Sequence, residues 1–197
     1  MNELVVGVTG ASGALCARSF IQSLLTVPEV RRIHLVVSPF AGQALRSELE
    51  GVAPGEEGTR RALAGQASGR VVHHAPENMA ATIASGTYPV DGMVIIPCSM
   101  GTLGAIASGV SANLIHRAAD VSLKERRPLI LAIRETPLNR IHLKNLSEAS
   151  AAGAVIFPLV PSFYTRPASV EEILEQFSAR ILDQLRIPHS LGRRWGA

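Results

Sequence analysis

At 197 residues, with 47% hydrophobic and 18% charged side chains, the chain has the composition of one folded domain with a full core, which excludes a disordered or coiled-coil protein. No apolar run approaches the roughly 18–20 residues that cross a bilayer, and Glu3 breaks the cationic start that a signal peptide needs. A formal charge of +3, with aromatic residues at 4% and not interleaved with the arginines, argues against a nucleic-acid partner.

Glu3–Val8 reads as an apolar strand, followed by Gly7-Val-Thr-Gly10-Ala-Ser-Gly13 and a helical pattern over Ala14–Leu25. A strand, a glycine turn and a helix start form a cradle whose backbone N–H groups attract an anion. The spacing is G-x-x-G-x-x-G with no G-K-[ST], which excludes a Walker-type NTPase. Ser12 is placed to cap the helix. Cys16 and Cys98 lie in apolar contexts and cannot make a disulfide framework, so a reducing cytoplasm is expected. The second strand, Ile33–Val37, ends in Ser38-Pro39, without the acidic residue that reads the ribose of NAD. Ser38 can bond a ribityl chain or phosphate, or cap a helix after Pro39. Residues 50–69 are Gly-, Ala- and charge-rich and read as a surface excursion with about one helical turn.

Arg70–His74 is predicted as a third strand and Asn78–Ala84 as a short helix broken at Ser85-Gly86. The adjacent His73 and His74 have no metal-ligand spacing, and no metal is assigned. Gly92–Ile96 is a buried strand that runs into Pro97-Cys98-Ser99-Met100-Gly101-Thr102, then small residues at helical spacing over Leu103–Gly109. This second strand-to-helix junction is another place where backbone can approach a flat or phosphorylated ligand. Cys98 reads as a small buried hydrophobe. Asn113–Arg127 is predicted as a helix on which Arg117, Asp120 and Lys124 share one face, and Leu129–Ile133 as a strand buried on both sides. Arg134-Glu135 emerges at its carboxyl end, where open α/β sheets place ligands. Cations and a carboxylate there suit an anionic ligand and proton transfer. A helix over Asn139–Ala152, a sixth strand over Ala154–Phe157, a proline-framed loop over Pro158–Pro167 and an amphipathic helix over Ser169–Arg186 complete the pattern. Arg180 falls close to that helix's apolar stripe, and Trp195, alone in a polar terminus, needs a host such as a neighbouring subunit.

The segments VTGASGA (8–14), ASG (84–86), MVIIPCSMGTL (93–103), NLIHRAADVSLKERRPLILAIRETPL (113–138), PSFYTRP (161–167) and Arg180-Ile-Leu-Asp183 appear in the order found in the UbiX/Pad family of flavin prenyltransferases. The chain resembles that family over most of its length outside 40–75. The resemblance implies a single domain with a Rossmann-like three-layer α/β/α flavoprotein fold and a mostly parallel sheet, over residues 1–187. A tail, 188–197, would pack on a neighbouring subunit of a homo-oligomer, as in the family's dodecamers.

The activity so implied joins a dimethylallyl group from dimethylallyl monophosphate to N5 and C6 of reduced FMN without a metal. The product would be the prenylated FMN cofactor of a UbiD-type decarboxylase, such as those serving ubiquinone synthesis. Carried over by position, Gly10, Ala11, Ser12, Ser38, Ser99, Met100, Gly101, Thr102 and Arg134 would hold FMN. Ser85, Arg117, Lys124, Tyr164, Arg180 and Trp195 would take the prenyl phosphate, and Glu135, Lys124 and Ser12 would be the catalytic groups. Ser38-Pro39-Phe40 departs from the family's Ser-Lys-Ala, and Gly104 from its Ser. The alternatives are a non-catalytic FMN carrier subunit of a decarboxylase system, a flavin-dependent cysteine decarboxylase, and a short-chain dehydrogenase. The last needs a Tyr-x-x-x-Lys pair, but Gly92 and Ala168 follow Tyr88 and Tyr164 at that spacing.

Overall fold

The computed structural model describes residues 2–65 and 69–196. Its strands are β1 (Asn2–Val8), β2 (Val30–Val37), β3 (Val71–His74), β4 (Gly92–Cys98), β5 (Leu129–Ile133) and β6 (Val155–Pro158). They form one sheet in the order β3-β2-β1-β4-β5-β6, every neighbouring pair parallel. The central strands β4 and β5 are buried at every residue, which is why they read as unbroken apolar runs rather than as alternating ones.

The helices are α1 (Ala14–Thr26), α2 (Pro39–Glu48), α3 (Gly55–Ala64), α4 (Met100–Ala107), α5 (Leu114–Lys124), α6 (Arg140–Ala151) and α7 (Val170–Gln184). Leu4, Val6 and Val8 of β1 point into a core shared with Phe20, Ile21 and Leu24 of α1, Leu45 of α2, Leu63 of α3 and Ile181 of α7. On the opposite face, Val5, Met93, Ile95 and Leu131 meet Leu103 of α4, Ile115 of α5 and Ala149 of α6. The result is the three-layer α/β/α sandwich expected. Strand order reverses between β1 and β4, so the loops leaving those neighbours part to opposite faces and open a crevice at their carboxyl ends.

Three local expectations are corrected. The excursion at 50–69 carries the ten-residue α3, which buries Thr59, Leu63 and Ala64; residues 66–68 lie outside the described residues. The helix predicted over Asn78–Ala84 is a single 3-10 turn, Thr82–Ala84, because the Asn78 side chain accepts from Ala80 N at 3.2 Å and turns the chain instead. Both α5 and α7 stop short of the predicted Arg127 and Arg186, with Arg126 and Arg186 in the left-handed region at φ 55 and 56.

Across β1, β2 and β3, Glu3, His34 and His74 form a network with Tyr88 that composition did not suggest. The Tyr88 hydroxyl donates to Glu3 Oε2 at 2.7 Å, His34 Nε2 lies 3.2 Å from the same oxygen, and His34 Nδ1 lies 2.9 Å from His74 Nε2. Arg31 and Arg32 also pair with Glu3. Burial would raise the Glu3 carboxyl, but these partners together hold it below the ordinary carboxylate range. Burial pushes His34 down, and burial with the nearby His34 and His73 pushes His74 to about 4. Below the ordinary histidine range the unfolded chain therefore binds protons that the folded chain refuses, so stability falls on acidification. The melting temperature is expected to drop between neutral pH and about pH 5, and His74→Gln should flatten that drop in a thermal-melt series.

Candidate functional site

The crevice between β1 and β4 is built by two strand-to-helix turns tied together by one hydroxyl. Thr9 is 2% exposed; its Oγ1 donates to Pro97 O at 2.8 Å and accepts from Ser99 N at 2.8 Å. No local pattern marks this role of Thr9, because its partners are 88 and 90 residues away. Gly10 is required for a steric reason: a Cβ there would lie 2.5 Å from Phe40 Cβ at the start of α2. Beside it Ala11 is buried and Ser12 exposed.

Ser12 does not cap α1, as expected from its position. Gly13, at φ 130, is the N-cap, and no side chain of the turn bonds the first amides. The carboxylate of Glu48, the last residue of α2, accepts from Gly13 N at 2.9 Å and Ala14 N at 2.8 Å. Glu48 thus fills the first turn of α1, where a helix end favours negative charge. It went unnoticed in the sequence because nothing local links it to residues 34 and 35 positions earlier.

The other predicted flavin residues gather here. Ser38 caps α2 by accepting from Ala41 N at 3.2 Å, with Pro39 at the first helical positions, where its missing N–H is no loss. Ser99 caps α4 by accepting from Thr102 N at 3.3 Å and donates its hydroxyl proton to Thr102 Oγ1 at 3.1 Å. Met100 and Gly101 form the first turn of α4. Arg134, leaving β5, donates from Nε to Ser12 O at 3.1 Å and so ties the loop after β5 to the first turn. Glu135 follows, exposed, with Oε1 accepting from Thr136 N at 3.0 Å. Cys98, fully buried, has its thiol pushed up to about 12 by burial and takes no part in this surface.

The predicted phosphate-binding residues fall into two further groups. Tyr164, Arg180 and Trp195 line one cavity of about 240 Å³ on the outer side of α7, with the Tyr164 and Trp195 rings edge to face at 5.2 Å. Ser85, Arg117 and Lys124 belong to the other side of the molecule. Arg117 donates to Ala84 O at 3.0 Å and to Asp120 at 2.6 Å, and Lys124 pairs with Glu125 beside Gly86. Lys124 ends α5 just before β5 begins, so it sits toward the amino edge of the sheet, whereas Arg134 leaves the carboxyl edge. One chain alone therefore does not bring Lys124 to Arg134. Within one chain the tail folds back on α7, while Trp195 stays 80% exposed.

The chain matches the flavoprotein family over residues 1–182. It is 45% identical to a probable UbiX-like flavin prenyltransferase of Streptomyces sp. (strain D7), covering 98% of this chain and 91% of that protein. It is 42% identical to the flavin prenyltransferase UbiX of Halalkalibacterium halodurans, over 97% of this chain and 92% of the relative. Among solved structures, AnUbiX (PadA1) in complex with FMN and dimethylallyl pyrophosphate superposes with a TM-score of 0.88 at 40% identity, covering 100% of this chain and 98% of that one. A dodecameric FMN-dependent UbiX-like decarboxylase from Escherichia coli O157:H7 gives a TM-score of 0.86 at 41% identity, over 99% and 100%. The cysteine decarboxylase TvaF shares the fold alone, with a TM-score of 0.58 at 16% identity. With near-complete coverage by relatives this similar, the chain belongs to the flavoprotein family and, within it, to the UbiX-type flavin prenyltransferases.

Proposed function

We propose that this protein joins the dimethylallyl group of dimethylallyl monophosphate to N5 and C6 of reduced FMN, yielding the prenylated cofactor of a UbiD-type decarboxylase. The observation that carries this reading is the cavity in which Tyr164, Arg180 and Trp195 meet: a hydroxyl, a guanidinium and an indole, fitted to a phosphate and a short apolar chain. The glycine turn, Ser38 and Ser99–Thr102 are read as the flavin site because the starts of α1, α2 and α4 converge there, with Gly10 packed against Phe40 and Ser38 and Ser99 capping their helices.

FMN supplies a nucleophilic reduced ring. The rest falls to the chain. Arg180 and the Tyr164 hydroxyl stabilise the negative charge that gathers on the phosphate as its bond to the allylic carbon breaks. Glu135 holds a carboxylate at the carboxyl edge, where it takes up the proton displaced from the ring carbon; the departing phosphate is a second acceptor for that proton. Arg134, fixed on Ser12 O, presents its remaining guanidinium nitrogens to the flavin.

Ser85, Arg117 and Lys124 join this centre from another copy of the chain. Exposed apolar side chains such as Phe40, Ile141, Phe163 and Trp195 supply surface for such contacts, and a dodecamer like that of the Escherichia coli relative satisfies the requirement. Among the described residues no helix is long and apolar enough to cross a membrane, in keeping with the cytoplasmic setting that we infer.

Incubation with reduced FMN and dimethylallyl monophosphate, followed by mass spectrometry of the flavin, tests the reading. A gain of one five-carbon unit supports it, and unmodified FMN favours a carrier subunit. In the same assay Glu135→Gln is expected to slow turnover by about a hundredfold, in the range of a lost general base. Unchanged turnover would remove Glu135 from proton transfer.

A further inference from the structure

The cavity of Tyr164 and Arg180 is closed on one side by the C-terminal segment 188–196, and that closure depends on a residue with no assigned role. Asp183 lies three positions after Arg180 on α7, on the same helix face. Its carboxylate receives both terminal nitrogens of Arg194, at 2.9 and 3.2 Å, and lies 3.2 Å from His189 Nε2. His189 Nδ1 in turn accepts from Leu191 N at 3.1 Å, so the proton sits on Nε2 and is donated to Asp183. His189 is nearly sealed, with 1% of its side chain exposed.

Burial would raise the Asp183 carboxyl, but Arg194 and His189 outweigh it and keep the group ionised. A second fastening lies alongside, where Gly192 N donates to Glu175 Oε1 at 2.9 Å. Gly192, at φ 71, passes so close to α7 that a Cβ would stand 2.9 Å from Ala179 Cβ.

Fastened in this way, the segment carries Arg193 and Trp195 to the rim of the same cavity as Arg180. The charges there do not cancel. Asp183 is satisfied by Arg194, while Arg180 and Arg193 have no carboxylate partner among the described residues; Arg193 makes one bond, to Thr165 O at 3.3 Å. Two uncommitted guanidinium groups facing one small cavity match a dianion such as a phosphate monoester.

We propose that Asp183 is a positioning residue of the prenyl-donor site, fastening the C-terminal strap to α7 so that Arg193 supplies a second guanidinium to the donor phosphate. This rests on the reading given under Proposed function. Trp195, the single tryptophan of the chain, reports the strap's attachment without reference to turnover. In the full-length, FMN-loaded protein, Asp183→Asn is expected to raise the KM for dimethylallyl monophosphate about tenfold, the loss of one charge-assisted contact. The Trp195 fluorescence anisotropy should fall, and the affinity for FMN should stay as in the unaltered protein. Arg194→Ala should reproduce these changes, and the double variant should add nothing to them. Arg193→Ala should raise the same KM with Trp195 anisotropy unaltered.

The proposal is overturned if Asp183→Asn frees Trp195 and leaves the donor KM in place. It is likewise overturned if donor KM, FMN affinity and melting temperature worsen together and the two single variants are additive. Should the unaltered protein fail to prenylate FMN, the enzymatic reading fails by itself. The strap is then read from the Trp195 emission on titration with dimethylallyl monophosphate: a saturable change lost in Arg193→Ala supports the site, and no change overturns it.

Discussion

Arg180→Ala is expected to lower kcat/KM for the prenyl donor by about a hundredfold, with FMN binding unchanged. Arg180 projects from the exposed side of α7 into a cavity whose other walls are Tyr164, Gln176 and the C-terminal strap. A guanidinium there bonds the phosphate in the bound donor and bonds it more strongly as negative charge accumulates on departure, so kcat and KM should both suffer. Arg180→Lys keeps the charge but loses the planar fork, and should recover part of the activity. Steady-state turnover at saturating FMN, set beside a flavin-binding titration, separates the two ligands. A parallel loss of flavin affinity would place Arg180 elsewhere.

The second large effect is expected from mixing two inactive proteins. Lys124 ends α5 toward the amino edge of the sheet, and Arg134 leaves β5 at the carboxyl edge. If a working centre takes its lysine from one copy and its arginine from another, Lys124→Ala and Arg134→Ala damage different halves of each centre. Separately, each should retain a few per cent of the activity or less, as expected when a charge that contacts a phosphorylated ligand is removed. Unfolded and reassembled together in equal amounts, they should recover about a quarter of the unaltered activity, because random assembly leaves that share of centres with both residues intact. No recovery in mixed oligomers, verified as mixed by mass, would show that one chain supplies both groups.

Much of this architecture was readable because parallel strands, buried on both faces, announce themselves as apolar runs. β1, β4 and β5 fell within a residue or two of their predicted places, and the reversal between β1 and β4 put the glycine turn and Ser99–Thr102 at one crevice. What escaped notice was long-range or carried by weak local signals. α3 contains two glycines, yet Thr59, Leu63 and Ala64 recur along one side, and packing on the α1 layer outweighed the poor propensity. Thr9 and Glu48 act through partners far along the chain, so no spacing rule reaches them. Ser12 had the right residue type for a cap, but the Gly13 conformation moved the helix start beyond it. The family motifs gave Tyr164 and Arg180 roles and included Asp183 without one, because its importance lies in what it fastens rather than in what it touches.

The carboxylate of Glu48 on the first amides of α1 has a consequence for ligand choice. Those N–H groups, which the glycine turn alone would offer to a phosphate, are already taken by a fixed negative charge. A doubly charged group approaching the same spot would meet electrostatic repulsion, while an uncharged, planar heterocycle would not. Two amides of the turn are thus engaged by the chain itself, and the charge beside them that can meet an anion is the guanidinium of Arg134 on Ser12 O.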